Sequence, residues 1–157
     1  MKLFQDIKVG ERFEVGAHTF TAEDIKSFAR RFDPQPFHLD EEAARHSHFG
    51  GLVASGWHTA AAWMRLMVDH RDRADAEMRA RGEGVGRHGG SPGFRELKWM
   101  KPVYAGDTIG YVTEVTDLRT SQSHPRWGIM KFRTVGTNQN GDAVISFVST
   151  VFVERRQ

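Results

Sequence analysis

The sequence of 157 residues contains no cysteine. This absence excludes thiol nucleophiles, zinc sites built on cysteine and disulfide frameworks, and it favours a reducing, cytoplasmic location. Long apolar runs are also missing, because the weakly polar run from Thr59 to Met64 stops at Arg65, far short of the ~20 residues that a membrane span needs. Residues 1–8 lack the apolar segment of a secretory signal. We therefore expect a soluble cytoplasmic protein with no membrane partner.

The chain has little charge of either sign in excess, with a formal net charge of +2. The positive excess lies in residues 71–101, which hold eight Lys and Arg against five Asp and Glu. A nucleic-acid protein would be more basic and would interleave aromatic residues, so no nucleic-acid partner is expected. A basic rim that includes Arg87, Arg95 and Lys98 suits the phosphates of a small ligand, and a merely solvated surface is the alternative.

No repeat and no low-complexity linker divides the chain, so residues 1–157 are expected to form one domain. Thr21 has the features of a helix N-cap, and the helix it starts must end by Asp33, because Pro34 disfavours the helical conformation of the residue before it. With Pro36 close behind, residues 33–37 are predicted to form an irregular, stiff turn. A short helix is predicted over residues 40–46.

The longest helical pattern extends from Gly56 to about Arg81 without a proline. Trp63 and Leu66 widen its apolar face, which predicts a helix wrapped by other structure. The stripe predicted to face the core consists of Trp57, Ala60, Ala61, Met64, Met67 and Val68.

The remaining chain is predicted to be β-structure. Short extended segments are expected on both sides of a turn at Gly16, a loop over residues 82–93, and strands over residues 94–100, 108–118, 127–137 and 143–153. Asn140 and Gly141 predict a type I′ hairpin between the last two strands. One long helix and one antiparallel sheet that curls around it make an α+β domain.

Chemistry is concentrated in the segment from Asp33 to Asp40. An acid and an imidazole, Asp33 and His38, lie five residues apart on a backbone stiffened by two prolines. Such a pair can hold one water and move its protons, which is what the addition or removal of water requires. The alternative is that Asp33 caps a turn and His38 packs on the core. As a loop residue, His38 is expected to contribute little to packing.

Ser55 and Gly56 open the long helix. Unpaired N–H groups at a helix N-terminus suit an oxyanion, and glycine lets a substrate carbonyl approach the backbone closely. A serine N-cap and a glycine chosen for packing are the alternative. Helix propensity predicts that Gly56→Ala leaves the helix unchanged or stabilises it.

Together these residues resemble the hydratase motif of the MaoC-like dehydratases, and within that family the (R)-specific 2-enoyl-CoA hydratases. The shared pattern is Phe28-Ala29-x-x-x-Asp33-x-x-Pro36-x-His38-x-Asp40, followed by Phe49 and Gly56. Residues 101–108, Lys-Pro-Val-Tyr-Ala-Gly-Asp-Thr, are similar to a turn between two strands of the same hotdog fold. The resemblance implies a hotdog domain in which Asp33 and His38 are the catalytic pair and Gly56 is the oxyanion donor.

The sequence departs from the family pattern at three positions. Gln35 stands where the family often has Asn, Ser55 where it often has His, and Ala61 where some of its hydratases have Ser. The acid, the imidazole and the glycine are retained. The departures therefore affect the groups that position the catalytic residues, and substrate identity more than reaction type.

The resemblance implies a homodimer that hydrates a 2-enoyl thioester, with coenzyme A as part of the substrate and no metal or redox cofactor. Ser55 and Gly56 are the expected substrate-binding residues. The alternatives are a hotdog thioesterase, which would need a carboxylate on or near the central helix where residues 56–68 have none, and a non-catalytic acyl-thioester-binding subunit. His46 and His48 could join His38 and Asp40 as metal ligands, but solvated histidines are favoured.

Overall fold

The computed structural model describes residues 1–87 and 89–156. After a short 3₁₀ turn at Phe4–Asp6, the chain forms β1 (Arg12–Thr19), α1 (Ala22–Phe32), α2 (Pro36–Leu39), α3 (Glu41–Arg45) and α4 (Gly56–Ala80). The strands β2 (Gly93–Trp99), β3 (Thr108–Thr120), β4 (Trp127–Thr137) and β5 (Ala143–Glu154) follow. No helix among the described residues has both the length and the hydropathy of a membrane span. The predicted loop ends at Gly93, where β2 begins, and its residue His88 lies outside the described residues.

All five strands belong to one antiparallel sheet in the order β1-β3-β4-β5-β2. The long helix α4 packs across this sheet. The domain is α+β, as the sequence predicted, and it has the hotdog fold that the resemblance implies. Trp63 of α4 meets Phe147 of β5 with ring centroids 4.6 Å apart. The Tyr111 hydroxyl of β3 donates to the Thr59 carbonyl at 2.8 Å. The helix is thus attached to the sheet by both apolar packing and a buried hydrogen bond.

Gly16 does not form the predicted turn. It lies inside the single strand β1, at a shift in register against β3 that occurs between Glu14 and Gly16. Its φ of +137° is a conformation that favours glycine, and an added Cβ would lie 3.1 Å from the Leu66 side chain. Glycine is therefore needed for a β-bulge that brings the backbone close to α4.

The last hairpin is confirmed, but the predicted turn type is wrong. A type I′ turn needs positive φ at both central residues, and of Asn140 and Gly141 only the glycine has it, at +84°. Residues 138–142 form a longer loop instead. The Asn138 side-chain oxygen accepts from the N–H groups of Asn140 and Asp142 at 3.0 and 2.9 Å, which replaces the hydrogen bonds of the tighter turn.

Helix α4 turns only part of the predicted stripe towards the core, where Ala60 and Met67 pack. Thr59 and Trp63 are buried, whereas Trp57 and Met64 of the predicted stripe are 54% and 52% exposed. A helix that is apolar on two sides needs two partners, and the sheet covers only one of them. The hydrophobic pattern located the helix correctly but could not distinguish its two apolar sides.

The segment between β1 and α4 folds through short helices as local chemistry predicts. The Thr21 hydroxyl accepts from the Asp24 N–H at 3.1 Å at the start of α1. Asp40 caps α3 in the same way, through the Ala43 N–H at 2.7 Å. The predicted irregular turn is in part helical, because Pro36 takes the first position of α2, where a missing N–H costs no hydrogen bond.

Candidate active site

A cavity of about 480 Å³ lies at the N-terminal end of α4. The four residues predicted for the site, Asp33, His38, Ser55 and Gly56, all line it. Three different parts of the chain bring them together: the end of α1, the helix α2 and the start of α4. The other residues that matter for the site are Gln35, Phe37, Val53, Trp99 and Lys101.

Asp33 ends α1, where its N–H donates to the Ala29 carbonyl at 3.0 Å. Its carboxylate accepts hydrogen bonds at both oxygens, from Gln35 Nε2 to Oδ1 at 2.8 Å and from Ser55 Oγ to Oδ2 at 2.6 Å. Burial raises the pKa of this carboxyl, but the hydrogen bonds from Ser55 and Gln35 and the nearby His38 together outweigh it, so the pKa lies below its ordinary value. Asp33 is therefore ionised at neutral pH.

His38 is 5% exposed, so the expectation that it contributes little packing is wrong. The Phe37 ring packs against its imidazole with centroids 4.6 Å apart. Its Nδ1 lies 2.7 Å from the Val53 carbonyl oxygen. Because a carbonyl can only accept, Nδ1 carries the proton, and in the neutral ring Nε2 has a free lone pair. That Nε2 lies 3.4 Å from Asp33 Oδ2, so two proton acceptors face each other at the cavity wall.

Ser55 connects Asp33 to α4. The serine is 1% exposed, and its hydroxyl accepts from the Trp57 N–H at 3.2 Å while donating to Asp33. One hydroxyl thus both caps the helix and contacts Asp33. Its proton is directed at Asp33 rather than into open cavity space, so the geometry favours a role in orienting the acid.

Gly56 is the first residue of α4. Its carbonyl accepts from Thr59 Oγ1 at 2.6 Å and from the indole N–H of Trp99 at 2.9 Å. A Cβ placed on Gly56 would lie 2.5 Å from Cε2 of Trp99 and 2.6 Å from its Nε1. The expectation that Gly56→Ala is harmless to the helix is therefore wrong, since the indole would have to move.

Sequence reasoning missed two residues of the site. Gln35 was noted only as a departure from the family pattern, and its amide proves to hold Asp33 Oδ1. Trp99 gave no signal, because it lies 43 residues from Gly56 along the chain and only the fold brings the two together. A polar side chain two residues after the acid could have indicated Gln35, whereas nothing local could have indicated Trp99.

The predicted basic rim is only partly near the cavity. Lys101 lines it and pairs with Asp142 at 2.7 Å, and Arg95 and Lys98 are exposed on the adjoining strand β2. Arg87 lies apart from the cavity lining and binds Glu154 through its N–H at 2.7 Å.

The weaker metal candidates do not assemble into a site. His46 Nε2 contacts Glu42 at 2.9 Å, and the ring of His48 packs on Phe49 with centroids 3.8 Å apart. Within residues 1–87 and 89–156, no three or more His, Asp or Glu side chains form a group that could hold a metal ion.

Comparison with known proteins finds a matching sequence family and similar structures. The sequence profile of the MaoC-like domain matches residues 6–131. A MaoC-like dehydratase from Rhodospirillum rubrum has 40% identity and a TM-score of 0.81, and the match covers 100% of this chain and 99% of that one. The R-hydratase PhaJ1 of Pseudomonas aeruginosa shares the fold at 19% identity and a TM-score of 0.69, over 98% of this chain and 86% of that one.

A third match concerns a shorter region. Mesaconyl-CoA hydratase of Cereibacter sphaeroides is 41% identical over 64 residues, which are 41% of this chain and 18% of that protein. The chain thus matches under a fifth of this larger relative.

Proposed function

Since this chain belongs to the MaoC-like dehydratase family, we propose that it is a hydro-lyase that adds water reversibly to a 2-enoyl thioester, with coenzyme A as the carrier. The observation that carries the proposal is the pair of acceptors Asp33 Oδ2 and His38 Nε2, 3.4 Å apart at the wall of the cavity. A water molecule has two O–H groups and can donate one to each of them. This arrangement holds the water with its oxygen lone pairs directed at the substrate.

Hydration then proceeds by conjugate addition. The water oxygen forms a bond to the β-carbon of the enoyl thioester as one of its protons passes to the pair Asp33 and His38, the dyad. The electron pair of the double bond moves towards the thioester oxygen, where the Gly56 N–H and the positive end of the α4 dipole stabilise the enolate. The dyad returns the proton to the α-carbon on the same face, so the elements of one water molecule add syn. Dehydration is the reverse sequence.

We assign the base to His38 and the electrostatic role to Asp33. A carboxylate whose pKa lies below its ordinary value is a weak proton acceptor, whereas the Nε2 of His38 presents a free lone pair to the same space. The negative Asp33 beside it stabilises the imidazolium that forms when His38 takes the proton. The Val53 carbonyl fixes the tautomer that leaves Nε2 free for this task.

The cavity has room and lining for a short acyl thioester. Its volume of about 480 Å³ is bounded by apolar side chains beside the dyad, among them Phe37, Phe49, Val53 and Trp99. Lys101 at the rim, with Arg95 and Lys98 on β2, supplies positive charge for the phosphates of coenzyme A. Because part of the chain is similar to mesaconyl-CoA hydratase, an enoyl group that bears a carboxylate belongs among the substrates to be tested.

We also propose that the protein works as a homodimer with active sites near the interface. Strand β2 is an edge strand, and Phe94, Trp99 and Met100 on and beside it are 45–51% exposed. Trp57 and Met64 continue this apolar surface along α4. An exposed edge strand next to large apolar side chains is a pairing surface. Light scattering on the purified protein should give the mass of two chains, and a monomer would overturn this part of the proposal.

The hydratase proposal is tested by adding the purified protein to a panel of enoyl thioesters, with crotonyl-CoA and mesaconyl-CoA among them. We expect loss of the conjugated enoyl absorbance and formation of the 3-hydroxyacyl product. Asp33→Asn, which is nearly isosteric, should fold normally and lose about 10²–10⁴-fold in rate. Release of free thiol instead of hydration would indicate a thioesterase, and binding without turnover a non-catalytic subunit.

A further inference from the structure

We propose that Trp99 is a positioning residue for this hydration, because its indole fixes the first turn of α4 and thereby aims the Gly56 N–H at the thioester oxygen. The inference rests on the proposed function and concerns a residue outside the acid–imidazole pair. Trp99 lies on the cavity wall with Asp33 and His38, but it belongs to the sheet rather than to the helix it contacts.

Two contacts join Trp99 to Gly56. The indole N–H donates to the Gly56 carbonyl at 2.9 Å. The fused part of the ring lies over the α-carbon, since a Cβ on Gly56 would be 2.5, 2.6 and 2.8 Å from Cε2, Nε1 and Cδ2. The space of the missing side chain is therefore filled by Trp99. A glycine is required here by the indole as well as by any approaching substrate.

The sheet side of this contact, where Trp99 is anchored, is rigid. Trp99 is the last residue of β2 and pairs with Ile145, which is fully buried in β5. The next N–H along the chain, that of Met100, donates to the Val144 carbonyl at 2.9 Å. The Trp57 ring, from α4 itself, meets the indole edge-on at 5.2 Å between centroids. Through Trp99 the sheet thus holds the helix at the turn where the proposed donor lies.

The position of this turn matters to catalysis more than to folding. The first N–H groups of a helix have no intrahelical acceptor, and helix ends fray. An oxyanion donor stabilises a transition state only if it is held in place before the charge develops. Trp99 is 45% exposed in the single chain and lies on the surface proposed to pair with a second copy. In variants that remain dimeric by light scattering, its replacement should therefore cost less in stability than in turnover. A residue that served packing alone would show the opposite order.

The first test is Trp99→Phe, which keeps an aromatic ring and removes the N–H donor. We expect kcat for enoyl-CoA hydration to fall about tenfold, less than the loss of a whole oxyanion donor, with KM and the melting temperature little changed. Trp127→Phe, at the start of β4 and outside the cavity lining, is the matched control and should leave kcat unchanged. A Trp99→Phe variant with wild-type kcat would overturn the inference, whatever its melting temperature.

The second test is a double-mutant cycle with Gly56→Ala, Trp99→Ala and the double variant. If Gly56→Ala acts by displacing the indole, it should slow the wild type strongly and cost little more once Trp99 is gone. If the fold losses in kcat of the two single variants multiply in the double variant, the methyl group obstructs the substrate directly. That result would refute the positioning role of Trp99. A wild-type protein inactive on every thioester would overturn the proposed function and this inference with it. Normal wild-type turnover with an unaffected Trp99→Phe would overturn the inference alone.

Discussion

His38 and His58 are buried to nearly the same degree, 5% and 8% exposed. The two regions in which they lie give the imidazole different hydrogen-bond partners. His38, in the segment before α4, has a hydrogen bond to Val53 at one nitrogen and faces Asp33 with the other. His58, in the first turn of α4, stacks on Phe28 with centroids 4.5 Å apart, and its Nδ1 has no hydrogen-bond partner among the described residues. Burial alone therefore does not distinguish the two histidines, whereas the partners of their ring nitrogens do.

The difference also shows in protonation. Burial, with a smaller contribution from His18, lowers the pKa of His58 from 6.5 to about 4, against the opposing influence of Asp24. His58 is thus held neutral as an aromatic core residue, between Phe28 and the ring of Phe20 at 4.9 Å. His38 keeps a lone pair at the cavity, and its Nε2 lies 3.4 Å from Oδ2 of the anionic Asp33.

The largest effect is expected when the His38 ring is removed, which tests whether the two buried histidines differ in function. His38→Ala should lower kcat by about 10²–10⁴-fold, and it should also cost about 1–3 kcal/mol of stability, because the Val53 carbonyl loses its buried donor. His38→Asn separates the two effects, since its amide can still donate to Val53 while nothing replaces Nε2. We expect His38→Asn to recover stability but not turnover. If steady-state assays showed that His38→Asn recovers turnover as well as stability, His38 would have no part in the mechanism.

The next effect concerns the pH dependence of stability through His58. Its folded-state pKa of about 4 lies below the ordinary 6.5, so the unfolded chain binds more protons between these values. The contribution is fully present above pH 6.5 and is lost as pH falls towards 4, up to about 3 kcal/mol. Urea unfolding at a series of pH values measures it. His58→Phe should flatten the dependence in this window, and an unchanged slope would contradict the assignment.

A smaller effect on kcat is expected at Ser55, which tests how much a hydrogen-bond partner of Asp33 contributes. Ser55→Ala removes the shortest hydrogen bond to Asp33, so the pKa of the Asp33 carboxyl should rise towards its ordinary value. We expect kcat to fall about tenfold at neutral pH, within the range of positioning losses, and the Asp33 carboxyl to titrate at higher pH than in the wild type when it is followed by NMR. Ser47→Ala, whose hydroxyl donates to Ala44 away from the dyad, is the control. An unchanged Asp33 titration together with an unchanged kcat would mean that Ser55 serves only as the helix cap.

The smallest effect is expected for charges that are not buried at all. Arg95→Gln with Lys98→Gln should raise KM for enoyl-CoA severalfold with kcat little changed, and the difference should shrink as salt screens the phosphates. Arg87→Gln, which lies apart from the cavity and contacts Glu154, should leave KM unchanged. Equal KM values for all three proteins at low salt would make the basic rim a solvated surface.

Local features of this chain were readable in advance because they depend on neighbours in sequence. The Thr21 cap, the end of α1 before Pro34 and the start of α4 at Gly56 follow from capping chemistry and proline geometry. The five-residue spacing of Asp33 and His38 is also local, and the structure brings both to one cavity wall. Whether they catalyse hydration stays a prediction until the variants are measured.

Three of the features that were wrong or missed have a different origin. The sheet-facing side of α4, the bulge at Gly16 and the contact of Trp99 with Gly56 all depend on which surfaces meet when distant segments pack.

By itself, the sequence determined the long helix, the last four strands, their order and the acid–imidazole pair, since backbone preferences and short spacings are properties of the chain. Only the tertiary structure decided what each of these groups touches. Ser55 reaches Asp33 across 22 residues and Trp99 reaches Gly56 across 43. Such contacts are set by the packing of a helix on a sheet, where burial and hydrogen-bond geometry are satisfied together for the whole domain.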